Sequence, residues 1–146
     1  LYNTIMDFGE LLKVFLLDLQ SMFRYRVSSS DLTLPQILII SSIPHEGTDM
    51  SSLSKQMGVD NSTMTRLIAV LIRNEWVVKY KSTNDRRVVF VKITSKGEAI
   101  RNKIDKKISV FGEEIINAIP PEERNEIREI LTSLHWLLSK QLLRTK

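Results

Sequence analysis

The sequence predicts a mainly α protein with a small β-wing. Three observations predict it. Apolar residues recur at three- and four-residue steps through both ends of the 146-residue chain. In the middle, a short helical pattern breaks at Gly58-Val59-Asp60 and a second one follows. Two β-rich runs, 77–81 and 88–93, then flank a polar, basic tip at 82–87. Helix, tight turn, helix and hairpin in that order make a winged helix-turn-helix, here set between long helices at both chain ends.

The first helix is expected over 2–26. Ile5, Phe8, Leu12, Phe15, Leu16, Leu19, Met22 and Phe23 fall on one side of it. At 1.5 Å per residue it would span about 35 Å, more than a small domain needs. Ser28-Ser29-Ser30-Asp31 ends it. Thr33 then offers an N-cap with Pro35 in the first turn and Gln36 at the third helical position, a capping box. The helix through Ile37, Leu38, Ile39, Ile40 and Ile43 is almost continuously apolar, so it is expected to be buried on most sides. Pro44-His45-Glu46-Gly47 closes it.

Asp49 or Ser51 can cap the short helix carrying Leu53 and Met57. Gly58 supplies the turn, and Asp60 caps the helix that follows. There Met64, Leu67, Ile68, Leu71 and Ile72 share one face, while Ser62, Thr65, Arg66, Ala69 and Arg73 share the other. After the hairpin, Thr94 or Ser95 starts a helix with an apolar side at Ile100, Ile104, Ile108, Phe111, Ile115 and Ile119. Pro120-Pro121 breaks it. A last helix has Glu122 and Glu123 in its first turn, where the helix dipole favours acids. Its stripe is Ile127, Ile130, Leu131, Leu134, Leu137, Leu138 and Leu142. These stripes exceed what the central module can cover, and a second copy related by two-fold symmetry would cover them. Trp76 is expected to pack under the wing.

Composition narrows the function. The chain carries +4 overall. Residues 50–97 hold nine Lys/Arg against three acids, whereas the remainder holds twelve against fourteen. Positive charge is thus gathered on the central module, as a surface facing phosphates requires. No run approaches the ~20 apolar residues of a membrane helix. Asp7 and Glu10 stand where a signal peptide would need a basic start and an apolar run. The chain begins at Leu1 rather than Met, which leaves room for a short leader. There is no cysteine, so disulfides, cysteine–zinc sites and thiol redox sensing are excluded. A cytoplasmic location is compatible with that usage.

A helix-turn-helix enters the major groove by the N-terminal half of its second helix. Asn61, Ser62, Thr63, Thr65 and Arg66 occupy that half. Arg66 could contact guanine in bidentate fashion, and the hydroxyls could reach phosphates or bases. Asp85, Arg86 and Arg87 lie at the hairpin tip. An arginine there fits a narrow minor groove, and Asp85 could orient the guanidinium of Arg87. Catalysis has no constellation to rest on. His45 and His135 have no ligand partners at metal spacing, and no phosphate loop or nucleophile elbow is present. The reading is therefore of no enzyme, no cofactor and no metal.

These residues resemble the MarR family of transcriptional regulators. The resemblance rests on Ser62-Thr63-Met64-Thr65-Arg66-Leu67, on Asp85-Arg86-Arg87 before an apolar strand, on Ile93-Thr94-Ser95-Lys96-Gly97, and on Leu32-Thr33-x-x-Gln36. It spans nearly the whole chain, as a single domain over 1–146. Within it, 32–97 would be the DNA-binding lobe, and 1–27 with 98–146 a helical dimerisation region. The resemblance implies a homodimer on pseudo-palindromic double-stranded DNA, mostly as a repressor. It also implies release by a small aromatic or anionic effector held between the dimerisation helices and the lobe. Carried over, Thr65 and Arg66 would contact the major groove, and Arg87, braced by Asp85, the minor groove. Ser52 and Ser54 depart from the family's usual Glu and Ala without threatening the fold. Arg24, Tyr25 and Arg26 read as solvent-exposed rather than as pocket residues. An alternative keeps the fold but has the basic face bind an acidic protein instead of DNA.

Overall fold

The computed structural model describes residues 5–145. The chain is mainly helical with a small antiparallel sheet: α1 (Phe8–Arg26), α2 (Leu34–Ser42), β1 (Thr48–Asp49), α3 (Met50–Met57), α4 (Asn61–Arg73), β2 (Val77–Lys81), β3 (Val89–Ile93), α5 (Ser95–Asn117) and α6 (Arg124–Arg144). This is the expected winged helix fold with long helices on either side. The described residues up to Ile108 form one compact unit and those from Ser109 form another, the division falling within α5.

In the first unit the cap residues set the element boundaries. Asp7 accepts from the backbone N–H of Glu10 at 2.9 Å, so α1 begins at Phe8 and not at residue 2 as its apolar spacing suggests. Positions 2–4 of that expected helix lie outside the described residues. Gln36 Oε1 accepts from the Thr33 N–H at 2.9 Å, which makes the expected box at the start of α2. Asp49 caps α3 through the Ser52 N–H at 2.8 Å, and Asp60 caps α4 through the Thr63 N–H at 2.7 Å. Between them Gly58 takes φ 66°, the left-handed conformation that lets α3 stop and turn in one residue.

The core lies where α2, α3 and α4 meet the sheet. Ile37, Ile39, Ile40, Leu53, Met64, Ile68 and Leu71 are fully buried, joined by Val77, Val91 and Ile104. Ile72 is expected with them but is exposed: the buried stripe of α4 is Met64, Ile68 and Leu71, at four- and three-residue steps, and Ile72 lies at its edge. Trp76 is partly buried against this cluster.

The sheet has one strand more than the sequence reading. β3 pairs with β2 in antiparallel register, Val77 opposite Ile93 and Lys81 opposite Val89, and also with β1, Thr48 opposite Val91. Two residues are too few for a period-2 pattern, so β1 gave no strand signal. Val88 falls outside β3; its N–H closes the tip on the Asp85 carbonyl at 3.0 Å.

Helix α5 is anchored by its first turn. The Thr94 hydroxyl donates to the Glu75 carbonyl at 2.6 Å and accepts from the Gly97 N–H at 3.0 Å. Gly97 sits so close to the Trp76 carbonyl that a Cβ could not fit. The Thr-x-x-Gly spacing thus ties α5 to the end of α4 and the start of β2. Farther along, Arg101 donates to the Ile43 carbonyl and Lys107 Nζ to the Val27 carbonyl at 3.5 Å. Both cations satisfy carbonyls at helix C-termini, those of α2 and α1.

In the second unit, Pro120-Pro121 breaks the chain as expected. Glu122 and Glu123 belong to a 3-10 turn, Pro121–Glu123, rather than to the first turn of the last helix; α6 starts at Arg124. The Arg124 Nε donates back to the Ile119 carbonyl at 2.9 Å, which holds the corner.

Candidate nucleic-acid interface

Helix α4 presents two unlike faces. Its amphipathic spacing buries Met64, Ile68 and Leu71, which leaves Asn61, Ser62, Thr65, Arg66 and Ala69 exposed. Asp60 organises the first turn. Its Oδ1 accepts from the Thr63 N–H at 2.7 Å and from the Ser62 hydroxyl at 2.7 Å. The Thr63 bond foremost, then that of Ser62, holds the Asp60 carboxyl well below the usual 3.8, at about 2. Asp60 is therefore an anion at neutral pH. One turn on, the Thr65 hydroxyl donates to the Asn61 carbonyl at 2.8 Å, and Arg66 Nη2 donates to the Thr63 hydroxyl at 3.4 Å.

The wing tip is as tightly organised. The Ser82 hydroxyl accepts from the N–H groups of Asn84 and Asp85 at 3.2 and 3.4 Å, and Ser82 N–H donates to the Val88 carbonyl at 3.0 Å. Asp85 Oδ1 accepts twice from Arg87, from its N–H at 3.0 Å and its Nε at 3.3 Å. The Arg87 side chain is 92% exposed, so its terminal amino groups project from the tip into solvent. Arg86 is exposed beside it. The bracing of Arg87 by Asp85 is the contact that the sequence spacing suggests.

Helix and wing share a cleft of about 330 Å³. Asn61 and Thr65 of α4 line one wall, Lys79 and Arg87 of the hairpin line another, and Ser51 at the start of α3 lines a third. The structure thus brings Asn61, Thr65 and Arg87 to one place. Ser62, Thr63, Arg66, Asp85 and Arg86 are not part of the cleft lining; Ser62, Arg66 and Arg86 are exposed, and Thr63 and Asp85 half-exposed. Lys79 and Ser51 were absent from the sequence-predicted set. Lys79 is one of the basic residues of the central module, but its place in the cleft depends on the β2–β3 register, in which it lies opposite Val91. Ser51 reaches the cleft because β1 docks the start of α3 against β3. Among the described residues no group of His, Asp and Glu is placed to hold a metal, and no helix is long and apolar enough to cross a membrane.

The model of the MarR family matches residues 32–89, which include α2 to α4 and the hairpin tip. The HTH-type transcriptional regulator FarR of Neisseria gonorrhoeae is 31% identical, over 86% of this chain and 78% of its own. This chain belongs to the MarR family. The multiple antibiotic resistance protein MarR of Escherichia coli, 26% identical over 97% of this chain and 95% of its own, extends the match to both terminal helices. Among solved MarR-type folds, Streptococcus pneumoniae FabT, crystallised in complex with DNA, superposes with a TM-score of 0.73 at 25% identity, covering 91% of this chain and 96% of that one. MarR-family proteins are transcriptional regulators, and this chain shares their helical frame and wing.

Proposed function

We propose that this protein is a sequence-specific DNA-binding regulator that binds a pseudo-palindromic operator as a homodimer, acting as a cytoplasmic repressor. The observation that carries the reading is the braced arginine at the wing tip beside the exposed polar turn of α4. A guanidinium oriented by Asp85 and clear of the body of the protein suits a narrow minor groove. The exposed polar turn of α4, which shares a cleft with Arg87, suits the adjacent major groove. Asn61, Ser62, Thr63, Thr65 and Arg66 are the proposed groove residues, with Asp85, Arg86 and Arg87 at the wing. Residues 32–97 would form the DNA-binding lobe of a single MarR-type domain, and the terminal helices would pair two copies. FabT's DNA complex supports the same use of this fold. Release by a small aromatic or anionic effector completes the proposal and rests on family membership. The protein acts by binding rather than by catalysis.

The test is a binding titration against the DNA upstream of its own gene, over a range of salt. A dimer that neutralises several phosphates should lose affinity steeply, log Kd changing linearly with log salt. No binding at low salt would end the proposal. Salt-insensitive capture of an acidic protein by the same face would favour the protein-binding alternative.

A further inference from the structure

The hydroxyl groups on α4 have fixed hydrogen-bond polarity. A hydroxyl owns one proton and two lone pairs. Ser62 Oγ lies 2.7 Å from a carboxylate oxygen of Asp60, and Thr65 Oγ1 lies 2.8 Å from the Asn61 carbonyl. An ionised carboxylate and a carbonyl can only accept. Each hydroxyl has therefore spent its proton inside the helix, and what it shows to solvent is acceptor lone pairs. Thr63 is only half-exposed and differs from both. Its oxygen accepts from Arg66 Nη2 at 3.4 Å and its hydroxyl also faces the Asp60 carboxylate, so it is tied up within the turn on both counts.

Phosphate oxygens only accept, so an acceptor hydroxyl gains nothing by meeting one. In the major groove the donors are the exocyclic amino groups, N6 of adenine and N4 of cytosine. Resting on the reading of α4 as the groove-entering helix, we propose that Ser62 and Thr65 read amino-bearing bases at two positions of each half-site, and that neither is a phosphate clamp. Each would select adenine or cytosine over guanine or thymine on the strand it faces. Arg66, a donor throughout, would select guanine or hold a phosphate. Asp60 is then a positioning residue: it takes the Ser62 proton and caps the helix that carries both hydroxyls.

The experiment selects duplexes from a random-sequence pool with the intact protein and rebuilds the winner with base analogues. Adenine is replaced in turn by purine, and cytosine by 2-pyrimidinone, each lacking the amino group. Two positions per half-site should lose roughly 3- to 10-fold in affinity, the worth of one hydrogen bond. Thr65→Val should make one of these positions indifferent to its analogue, and Thr65→Ser should restore the sensitivity. Ser62→Ala should do the same at the other position. Comparing variant and wild type on the same duplex cancels changes in duplex stability. A uniform loss across all duplexes in the variants, with analogue sensitivity intact, would show phosphate contacts and overturn the inference while leaving DNA binding in place. Unchanged affinity and sequence preference in both variants would also overturn it. Failure of the wild-type protein to enrich any duplex would sink the proposed function itself.

Discussion

Arg87 and Gly97 show how much of this protein rests on single positions. Arg87 is held through Nε by an oxygen that also accepts its own backbone N–H, so the tip and the guanidinium are ordered by one carboxylate. Arg87→Ala should cost about 1–3 kcal/mol of DNA binding and lower the salt slope by about one, with the unfolding midpoint unchanged. Asp85→Ala keeps the cation but frees it, so it should lose less affinity and leave the salt slope higher than Arg87→Ala does. Equal affinities for wild type and Arg87→Ala would remove the wing from recognition. Gly97 acts on stability instead. Its missing side chain lets the first turn of α5 lie against the Trp76 carbonyl. Gly97→Ala should destabilise the fold by about 1–3 kcal/mol, read as a lower urea midpoint, because backbone rather than a flexible side chain must move.

At the scale of elements, the caps and cations decide where helices begin and what they lean on. Asp49 and Asp60 both carry lowered pKa values, Asp49 chiefly through the Ser52 hydroxyl and Asp60 chiefly through the Thr63 N–H. A depressed carboxylate contributes stability that is complete above its unfolded value, here 3.8, and is lost as pH falls through the folded value. For Asp60 that window runs from 3.8 down to about 2. The urea midpoint should therefore fall across it, and less so in Asp60→Asn, which keeps a capping oxygen without the charge. Asp49→Asn combined with Asp60→Asn should flatten the profile further. An identical pH profile in wild type and the double variant would show that neither cap contributes.

The whole molecule presents more apolar surface than a lone chain should. On α1, Phe8, Leu11, Phe15, Leu16 and Leu17 are exposed, and on α6 so are Ile130, Leu131, Leu137, Leu138 and Leu142. Fully burying a Leu or Phe is worth roughly 1.5–3 kcal/mol, and these side chains, about half exposed, forgo part of it. A second copy would recover it, and a two-fold operator needs two recognition helices about 34 Å apart. If α6 pairs two copies as proposed, Leu131→Glu with Leu138→Glu should give a monomer in sedimentation velocity where the wild type gives a dimer, leave the first unit folded, and weaken operator binding far more than half-site binding. A dimer untouched by these changes would take α6 out of the interface.

Much of this arrangement was legible from the residues in order. Helix periods, the caps at Thr33, Asp49 and Asp60, the turn at Gly58 and the basic hairpin tip are local features. They depend on contacts within a few residues, and such contacts follow from spacing. The start of α1 was misplaced because the apolar stripe runs past Asp7, and the cap overrides the stripe. What the linear pattern could not contain is pairing across distance. The two-residue β1, the place of Lys79 and Ser51 in the cleft, and the hold of Arg101 on the Ile43 carbonyl, 58 residues away, all arise when separate elements meet. The polarity of the Ser62 and Thr65 hydroxyls lies between these cases. Their partners are near in sequence, but only the folded geometry shows which atom holds the proton.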